Sequence, residues 1–182
     1  MGNIFLVGMM GAGKTTLGRA LAQRLEMEFV DSDRLLVERT GVPVATIFEI
    51  EGEAGFRRRE SAALAEMADR DGVVVATGGG AVLSAENREF MRAHGTVVYL
   101  RARVDSLWER TRHDASRPLL QTPDPRATLA EIMAERDPLY REAAHVIVDT
   151  GSQSASTLVT RVLAALRRAD AQPTERRSEG SP

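Results

Sequence analysis

One short segment near the start of the chain has the residue types and the spacing needed to bind nucleotide phosphates. Residues 8–15 fit the pattern G-x-x-x-x-G-K-[ST] and lie between a predicted strand and a predicted helix. The glycines allow backbone N–H groups to turn towards phosphate oxygens, and the positive end of the helix adds to this attraction. Lys14 is expected to neutralise charge on the β- and γ-phosphates, and the Thr15 hydroxyl to bind Mg²⁺. The segment therefore predicts a nucleoside triphosphate site.

The composition sets this lysine apart. Lys14 is the only lysine in 182 residues, although lysine and arginine together number 24. We infer that a compact point charge is needed at this position, where the planar guanidinium of arginine would not fit. A single lysine also excludes the N-K-x-D motif with which GTPases read guanine, and the chain is too short for a large motor ATPase. A small kinase remains, with a second substrate beside the γ-phosphate.

Charge and composition exclude several other classes of protein. The formal net charge is −2, which predicts neither a nucleic-acid partner nor an anionic membrane surface. There is no cysteine, so disulfides, thiolate catalysis and cysteine-ligated zinc are excluded. No apolar run approaches the length of about 20 residues that spans a bilayer. We expect a cytoplasmic protein with no nucleic-acid or membrane partner.

Short apolar runs alternate with amphipathic helical stretches along the chain. The runs do not alternate with polar residues, which is typical of strands buried on both faces of a parallel sheet. The predicted strands are 3–7, 28–30, 73–76, 96–100 and 146–148, and the predicted helices are 15–25, 54–69, 84–93 and 156–168. This alternation predicts a doubly wound α/β domain over residues 1–170. The polar residues 171–182 are predicted to form a disordered tail, and the proline-bearing loop 112–126 to form a lid.

Candidate residues for the second substrate follow the predicted strands. Asp31 and Asp33 come directly after the second strand, where α/β folds place ligands, although Ser32 or Asp33 could instead cap a helix. Residues 78–80 are three glycines after the third strand, and they either admit a ligand close to the backbone or form a plain flexible loop. Arg57 is the best candidate in a run of three arginines that could otherwise be a solvated face.

Taken together, these motifs resemble those of the shikimate kinase family. The resemblance covers residues 3–166, and six motifs carry it: 8–15, 31–33, Gly52 and Glu53 followed by Phe56 and Arg57, 77–80, 117–120, and Arg136 with 138–140. It implies a P-loop small-molecule kinase fold with a five-stranded parallel sheet flanked by helices, a substrate-binding region at about 32–60 and a mobile lid. It also implies ATP- and Mg²⁺-dependent phosphorylation of the 3-hydroxyl of shikimate, on the route to chorismate and the aromatic amino acids, by a protein that is usually a monomer.

The resemblance also implies a role for individual residues. Arg57 and Arg136 would bind the carboxylate of shikimate, Asp33 would accept hydrogen bonds from its hydroxyls, and Glu60 would orient Arg57. The remaining shikimate positions are Gly78, Gly79 and Gly80, with Phe48 and Phe56 as apolar walls. Thr15 would bind Mg²⁺ directly and Asp31 would bind it through water. The catalytic set is Lys14, Asp33 and Arg117, and the ATP-binding set is Gly11, Ala12, Gly13, Lys14, Thr15, Thr16, Arg110, Arg117 and Gln153.

The chain departs from some relatives in the loop after the last strand. Those relatives have an arginine there near the adenine, whereas this loop reads Gly151, Ser152, Gln153, Ser154, so adenine contacts would come from the backbone or from Gln153. Two alternatives remain from the sequence. One is a related small kinase for another hydroxy acid such as gluconate, and the other is a nucleotide-binding regulator without catalysis, which would be expected to lack Lys14, Thr15, Asp31 or Asp33.

Overall fold

A computed structural model describes residues 2–68, 70–114, 118–151 and 153–170. Its centre is a parallel sheet of five strands in the order β2-β3-β1-β4-β5, flanked by helices. The strands are β1 Asn3–Val7, β2 Glu28–Asp31, β3 Val73–Ala76, β4 Gly95–Ala102 and β5 Val146–Thr150. The helices are α1 Lys14–Leu25, α2 Ser32–Thr40, α3 Val44–Ala68, α4 Ala85–His94, α5 Val104–Thr111, α6 Pro125–Ala143 and α7 Ala155–Asp170. The predicted α/β class and five-stranded parallel sheet are confirmed.

Burial differs between the middle and the edges of the sheet. The three middle strands are almost wholly buried, as the unbroken apolar runs predict. In β5, however, buried and exposed residues alternate, and the Ile147 side chain is 42% exposed. The strand β2 is only partly buried. Expecting both faces of all five strands to be covered was therefore wrong for the two edge strands, because an edge strand has helices packed across less of its surface.

Several helix boundaries follow from local chemistry. The Ser84 hydroxyl accepts a hydrogen bond from the Asn87 N–H and caps α4, as its position predicts. The cap of α2 is Asp31, whose carboxylate accepts from the Arg34 N–H, and not Ser32 or Asp33. Helix α3 is interrupted at Gly52, whose backbone angles are φ 68° and ψ 178°. Residues other than glycine rarely adopt this conformation.

Helix α6 corrects two expectations from the sequence, that the lid loop runs to 126 and that Arg136 lies at the end of a helical stretch. It begins at Pro125, where the Asp124 carboxylate caps the Ala127 N–H, so the predicted lid loop ends before 125 and not at 126. It continues past Pro138 to Ala143, which places Arg136 within the helix and not at its end. The proline gives up one backbone hydrogen bond, and packing of the buried residues Leu129, Tyr140 and Ala143 holds the helix in place.

Two apolar cores divide the structure. The larger one surrounds the sheet and includes Phe5, Leu100 and Tyr99, all fully buried. The smaller one joins α2 to α3 through Leu36, Ile47, Phe56 and Ala63. Because Asp33 lies on α2 and Arg57 on α3, this second core positions part of the candidate site. No helix in the described parts of the chain is long and apolar enough to cross a membrane.

Candidate active site

The carboxyl ends of three neighbouring strands bring the candidate residues together. In the order β2-β3-β1, these ends lead into Asp31, Thr77 and Gly8 respectively. Thr77 joins two of them, since its N–H and its hydroxyl both donate to the Leu6 carbonyl, at 3.1 and 3.0 Å. The acidic pair, the glycine loop and the phosphate loop therefore lie side by side, as expected for a ligand site in a parallel sheet.

The phosphate loop has the backbone conformation that its glycines permit. Gly8 and Gly11 have φ values of 143° and 76°, and a Cβ atom at Gly8 would lie 2.6 Å from the Leu100 carbonyl oxygen. Any side chain at Gly8 would therefore clash with β4. The Lys14 ammonium extends back over the loop and donates to the carbonyls of Gly8, at 2.7 Å, and Met9, at 2.9 Å. Its positive charge lies where this motif binds phosphate.

Two oxygen atoms that could bind a metal ion, Thr15 Oγ1 and Asp31 Oδ2, lie close together at the start of α1. The Thr15 hydroxyl donates to Asp31 Oδ2 at 2.7 Å, although the two residues are sixteen positions apart. Hydroxyl and carboxylate oxygens are suitable ligands for Mg²⁺, which usually also keeps water and substrate phosphate in its shell. In the residues that the structure describes, no group of three or more histidine or acidic side chains could hold a metal without such additional ligands.

A cavity of about 680 Å³ opens beside the phosphate loop. Its polar lining consists of Asp33, Arg57, Glu60, Arg136 and the three glycines 78–80. One wall is apolar and contains Phe48 and Phe56, whose ring centroids are 4.7 Å apart. The cavity thus combines two guanidinium groups and two carboxylates with an apolar wall, a lining suited to a small polar molecule that has an acidic group and an apolar face.

Glu60 holds Arg57 in place. Arg57 Nη1 donates to Glu60 Oε2 at 2.8 Å, and Nη2 donates to Glu53 Oε1 at 3.2 Å. Burial lowers the pKa of Arg57, but the two carboxylates outweigh that effect and raise it, so the guanidinium stays charged. Burial raises the pKa of Glu60, and the attraction of Arg57 opposes this only in part. The Arg57 guanidinium also lies 5.1 Å from the centroid of the Phe56 ring.

Three buried polar atoms around the cavity have no hydrogen-bond partner among the described residues. They are Arg57 Nε, Arg136 Nε and Glu60 Oε1. Arg136 itself is only 5% exposed, which is rare for an arginine without a full set of partners. Leaving such groups unsatisfied is costly, so these atoms indicate where a polar ligand would form hydrogen bonds.

The glycine loop after β3 leaves no space for side chains at two of its three positions. A Cβ atom at Gly80 would overlap the Arg57 guanidinium, and one at Gly78 would lie 2.9 Å from Asp33 Oδ1 and closer still to Glu60. The loop is also pinned, because the Gly78 N–H donates to the Ser32 hydroxyl at 3.0 Å. Gly78 and Gly80 are therefore glycines because charged side chains occupy the adjacent space, and a plain flexible loop does not describe this segment.

With this geometry established, comparison with known proteins identifies the family. A family model described as shikimate kinase matches residues 10–167, well over half of the chain. The chain belongs to the shikimate kinase family. It is therefore an ATP-dependent phosphotransferase, which confirms the activity expected from the resemblance. The two alternatives drawn from the sequence, a kinase for another hydroxy acid and a regulator without catalysis, are not favoured.

Individual relatives support the same assignment. A shikimate kinase from Nitrosospira multiformis is 63% identical over 153 residues, covering 84% of this chain and 78% of that protein. One from Bordetella pertussis is 60% identical over 164 residues, covering 90% of this chain and 78% of that protein. A shikimate kinase from Acinetobacter baumannii, solved in complex with shikimate, has a TM-score of 0.91 at 46% identity and covers 94% of this chain and 96% of that chain.

On the nucleotide side of this family member, Arg110 connects two loops. Its guanidinium donates to the Gly11 carbonyl at 3.1 Å and to the Gly151 carbonyl at 2.6 Å. Gln153 lies in the second of these loops, where its side chain accepts from the Gly151 N–H at 2.7 Å. Arg110 therefore lies beside the phosphate loop and links it to the loop that contains Gln153, and the ATP-binding roles of both residues stay predictions. Arg117, the predicted lid arginine, falls outside the described residues, and its role stays a prediction.

Sequence reasoning missed two residues of the site, Ser32 and Tyr140, and it assigned no role to Arg58 and Arg59. Ser32 was interpreted as a possible helix cap, whereas its hydroxyl holds the glycine loop. Tyr140 was noted only as part of a motif, whereas its hydroxyl contacts Gly79. For Ser32 the signal was its position between two site carboxylates at a strand end. Of the two arginines, Arg59 is paired with Glu51 at the surface, away from the cavity lining.

Proposed function

We propose that the chain transfers the γ-phosphoryl group of ATP to the 3-hydroxyl of shikimate and that it requires Mg²⁺. The observation that carries this proposal is the cavity itself, which places the buried Arg136, the partly buried Arg57 and Asp33 beside the phosphate loop. Shikimate has one carboxylate and several hydroxyls, so it needs cationic donors on one side and an acceptor on another. The relative from Acinetobacter baumannii, whose structure contains shikimate, supports this choice of acceptor.

Each group at the site has a role in this reaction. Arg57 and Arg136 would bind the carboxylate through their guanidinium N–H groups, which orients the ring. Asp33 would accept the proton of the 3-hydroxyl as the hydroxyl oxygen forms its bond to the γ-phosphorus. The bond between that phosphorus and the bridging oxygen breaks at the same time, and ADP leaves with the electron pair. Lys14 would offset the negative charge on the phosphoryl group during transfer.

The oxygen donors present fit a magnesium ion. Thr15 Oγ1 and Asp31 Oδ2 lie 2.7 Å apart at the start of α1, so the hydroxyl could bind the ion directly and the carboxylate could hold a coordinated water. Bound there, Mg²⁺ would supply charge neutralisation for the phosphates of ATP. Gly11, Ala12, Gly13 and Thr16 would complete the phosphate site through the loop backbone and the first turn of α1.

We also propose that the protein acts as a monomer. In the described parts of the chain, the exposed large apolar residues are Ile50 and Ile147, which belong to separate elements. Stable homodimers bury a contiguous apolar patch, and two isolated side chains do not form one. Light scattering during gel filtration at several protein concentrations tests this, and a mass near twice 19.8 kDa would contradict it.

Coupled measurement of ADP release tests the proposed reaction. Turnover is expected with ATP, Mg²⁺ and shikimate together, and it should stop when Mg²⁺ is chelated. Gluconate should not replace shikimate. Lys14→Met should lower kcat by about a hundredfold or more, because it removes a charge that acts on the transferring group. Arg24→Met, on the exposed last turn of the same helix, is the matched control and should retain activity. ATP binding without turnover of shikimate would contradict the proposal.

A further inference from the structure

The three glycines 78–80 provide clearance at the site, but they give the loop no rigidity of its own. Glu60 and Asp33 occupy the space where a side chain at Gly78 would be, and Arg57 occupies that at Gly80. Glycine has more backbone freedom than any other residue, so a peptide unit within such a run can rotate at low cost. Contacts from outside the loop must therefore select one orientation for each peptide unit that faces the substrate.

Three consecutive peptide groups of the loop have identifiable restraints. The Gly78 N–H donates to Ser32, and the Gly78 carbonyl accepts from the Ala81 N–H at 3.1 Å. The next carbonyl, that of Gly79, accepts from the Tyr140 hydroxyl at 2.5 Å. Because a peptide unit is planar and trans, fixing the Gly79 carbonyl also fixes the direction of the Gly80 N–H.

Tyr140 is placed to act as such a restraint. It is fully buried on α6, one turn after Arg136, and its hydroxyl also lies 3.7 Å from Met9 Sδ in the phosphate loop. Its ring stacks on that of Tyr99, with the centroids 4.9 Å apart. The Tyr99 hydroxyl in turn donates to Asp137 at 2.7 Å. Stacking on Tyr99 therefore holds the Tyr140 ring in place, and its hydroxyl has a defined position.

Gly79 lies where both substrate sites meet. A Cβ atom there would be 3.5 Å from the Met10 N and 3.7 Å from Arg136 Nη1, so this residue separates the phosphate loop from a carboxylate-binding arginine. Gly79 and Gly80 both line the cavity. A change in the Gly79 peptide would thus alter the cavity wall that a bound acceptor contacts.

We propose that Tyr140 is a positioning residue for the acceptor, because its hydroxyl fixes the Gly79 peptide and with it the wall of the cavity beside Arg136. It does not take part in the chemistry. This inference rests on the proposed function, since it takes shikimate to be the molecule that fills the cavity. It assigns to a buried tyrosine a role in recognising the acceptor that its burial alone would not require.

The test compares the same chemical change in the two stacked tyrosines. Tyr140→Phe removes the hydroxyl that holds Gly79, and Tyr99→Phe removes the one that donates to Asp137; both retain the stacked rings. Both variants are expected to unfold at a lower temperature, because each loses a buried hydrogen bond. Thermal stability alone therefore does not distinguish a positioning role from a structural one.

Steady-state kinetics makes that distinction. Tyr140→Phe should raise the KM for shikimate about tenfold, as expected for the loss of one well-placed hydrogen bond, and should leave the KM for ATP within about twofold. Tyr99→Phe should leave both values near those of the wild type. Equal effects of the two variants, or an effect of Tyr140→Phe on ATP instead of shikimate, would overturn the proposal. If the wild type itself did not phosphorylate shikimate, the proposed function would fail and this inference with it.

A measurement on the wild-type sequence covers the case in which Tyr140→Phe does not fold. The chain has two tyrosines, Tyr99 and Tyr140, so labelling with 3-fluorotyrosine gives two fluorine resonances. Tyr99→Phe assigns them. Saturation with shikimate should shift the Tyr140 resonance and shift that of Tyr99 much less. A Tyr140 resonance that does not respond to saturating shikimate would contradict the proposal.

Discussion

Under the proposed function, Arg57 and Arg136 would recognise an acid in a cavity whose charged lining has no net positive charge. The polar lining contains these two arginines and the two carboxylates of Asp33 and Glu60, so the formal charges cancel. The Nη atoms of Arg57 are engaged by Glu60 and Glu53, whereas its Nε, like that of Arg136, is buried and has no hydrogen-bond partner among the described residues. Recognition of a carboxylate would therefore depend on directed N–H donors more than on overall charge.

Truncating Arg136 should weaken acceptor binding selectively. Arg136→Ala removes one donor to the carboxylate, which contributes about 1.5–3 kcal/mol, so the KM for shikimate should rise roughly ten- to a hundredfold. Arg136→Lys should restore only part of this, because a point charge cannot reproduce a planar fork. Arg141→Ala, which removes an exposed arginine of the same helix, is the control. Steady-state kinetics with shikimate and with its methyl ester provides the measurement.

The methyl ester separates a role in charge recognition from general damage. The wild type should strongly prefer the free acid, and Arg136→Ala and Arg57→Ala should discriminate much less. The KM for ATP should change little in either variant, since neither residue is assigned to the nucleotide. An arginine variant that kept the full wild-type preference for the acid would show that the carboxylate is recognised elsewhere.

At the scale of secondary-structure elements, His145 links the start of β5 to β4. Its ring and its backbone N–H both form hydrogen bonds with the Val97 backbone. The Val97 N–H donates to His145 Nδ1 at 3.0 Å, and the His145 N–H donates to the Val97 carbonyl at 2.9 Å. A ring nitrogen accepts a hydrogen bond only when it carries no proton, so this contact needs the neutral imidazole. Burial lowers the pKa of His145, and the nearby positive charge of Arg92 lowers it further.

The stability of the fold should therefore depend on pH through this histidine. With a folded pKa below the usual value of 6.5, the contribution of His145 is complete above pH 6.5 and is lost as the pH falls through the folded value. In urea unfolding at pH 7.5 and pH 5.0, His145→Asn should lose less stability than the wild type between the two values, because an amide oxygen can accept the same bond without titrating. His94→Asn, on the exposed face of α4, is the control and should follow the wild type. Parallel curves for wild type and His145→Asn would contradict this.

Secondary-structure elements were easier to predict from the sequence than their burial and tertiary packing. The middle strands and the phosphate loop were predictable because their residue types suit one environment only. The exposure of Ile147 was not, because β4 and β5 have similar apolar sequences and only the sheet order shows which lies at an edge. The course of α6 through Pro138 depends on tertiary packing, which local propensity does not describe.

For the site, residues that act through their own charge were predictable and residues that act through the backbone were not. The cavity is lined by Asp33, Arg57 and Arg136, which the resemblance of the motifs to the family had singled out. Ser32 and Tyr140 were missed because their partners are backbone atoms of a glycine loop, 46 and 61 positions away in the sequence. No local pattern marks a side chain whose partner is a distant peptide group.

At the scale of the whole molecule, the fold should not need the last residues of the chain. Helix α7 packs on the main core through Val159, Val162 and Leu166, all buried. Removing residues 172–182 should therefore change neither the unfolding temperature nor kcat and KM, because these apolar anchors are retained. Truncation before Leu166 should destabilise the protein by several kcal/mol, since it removes a fully packed side chain and shortens the helix. Loss of activity on removal of residues 172–182 alone would show that these residues dock on the domain.

A protease specific for lysine could cut this chain at one peptide bond only, between Lys14 and Thr15. That bond lies in the first turn of α1, and the Lys14 ammonium is held by two carbonyls of the preceding loop. A protease needs an extended segment with an accessible side chain, so cleavage requires this turn to unwind. The rate of such digestion would therefore report the unwinding of this turn, whether by local opening or with the whole fold, as a single cut giving fragments of 14 and 168 residues from the 182-residue chain.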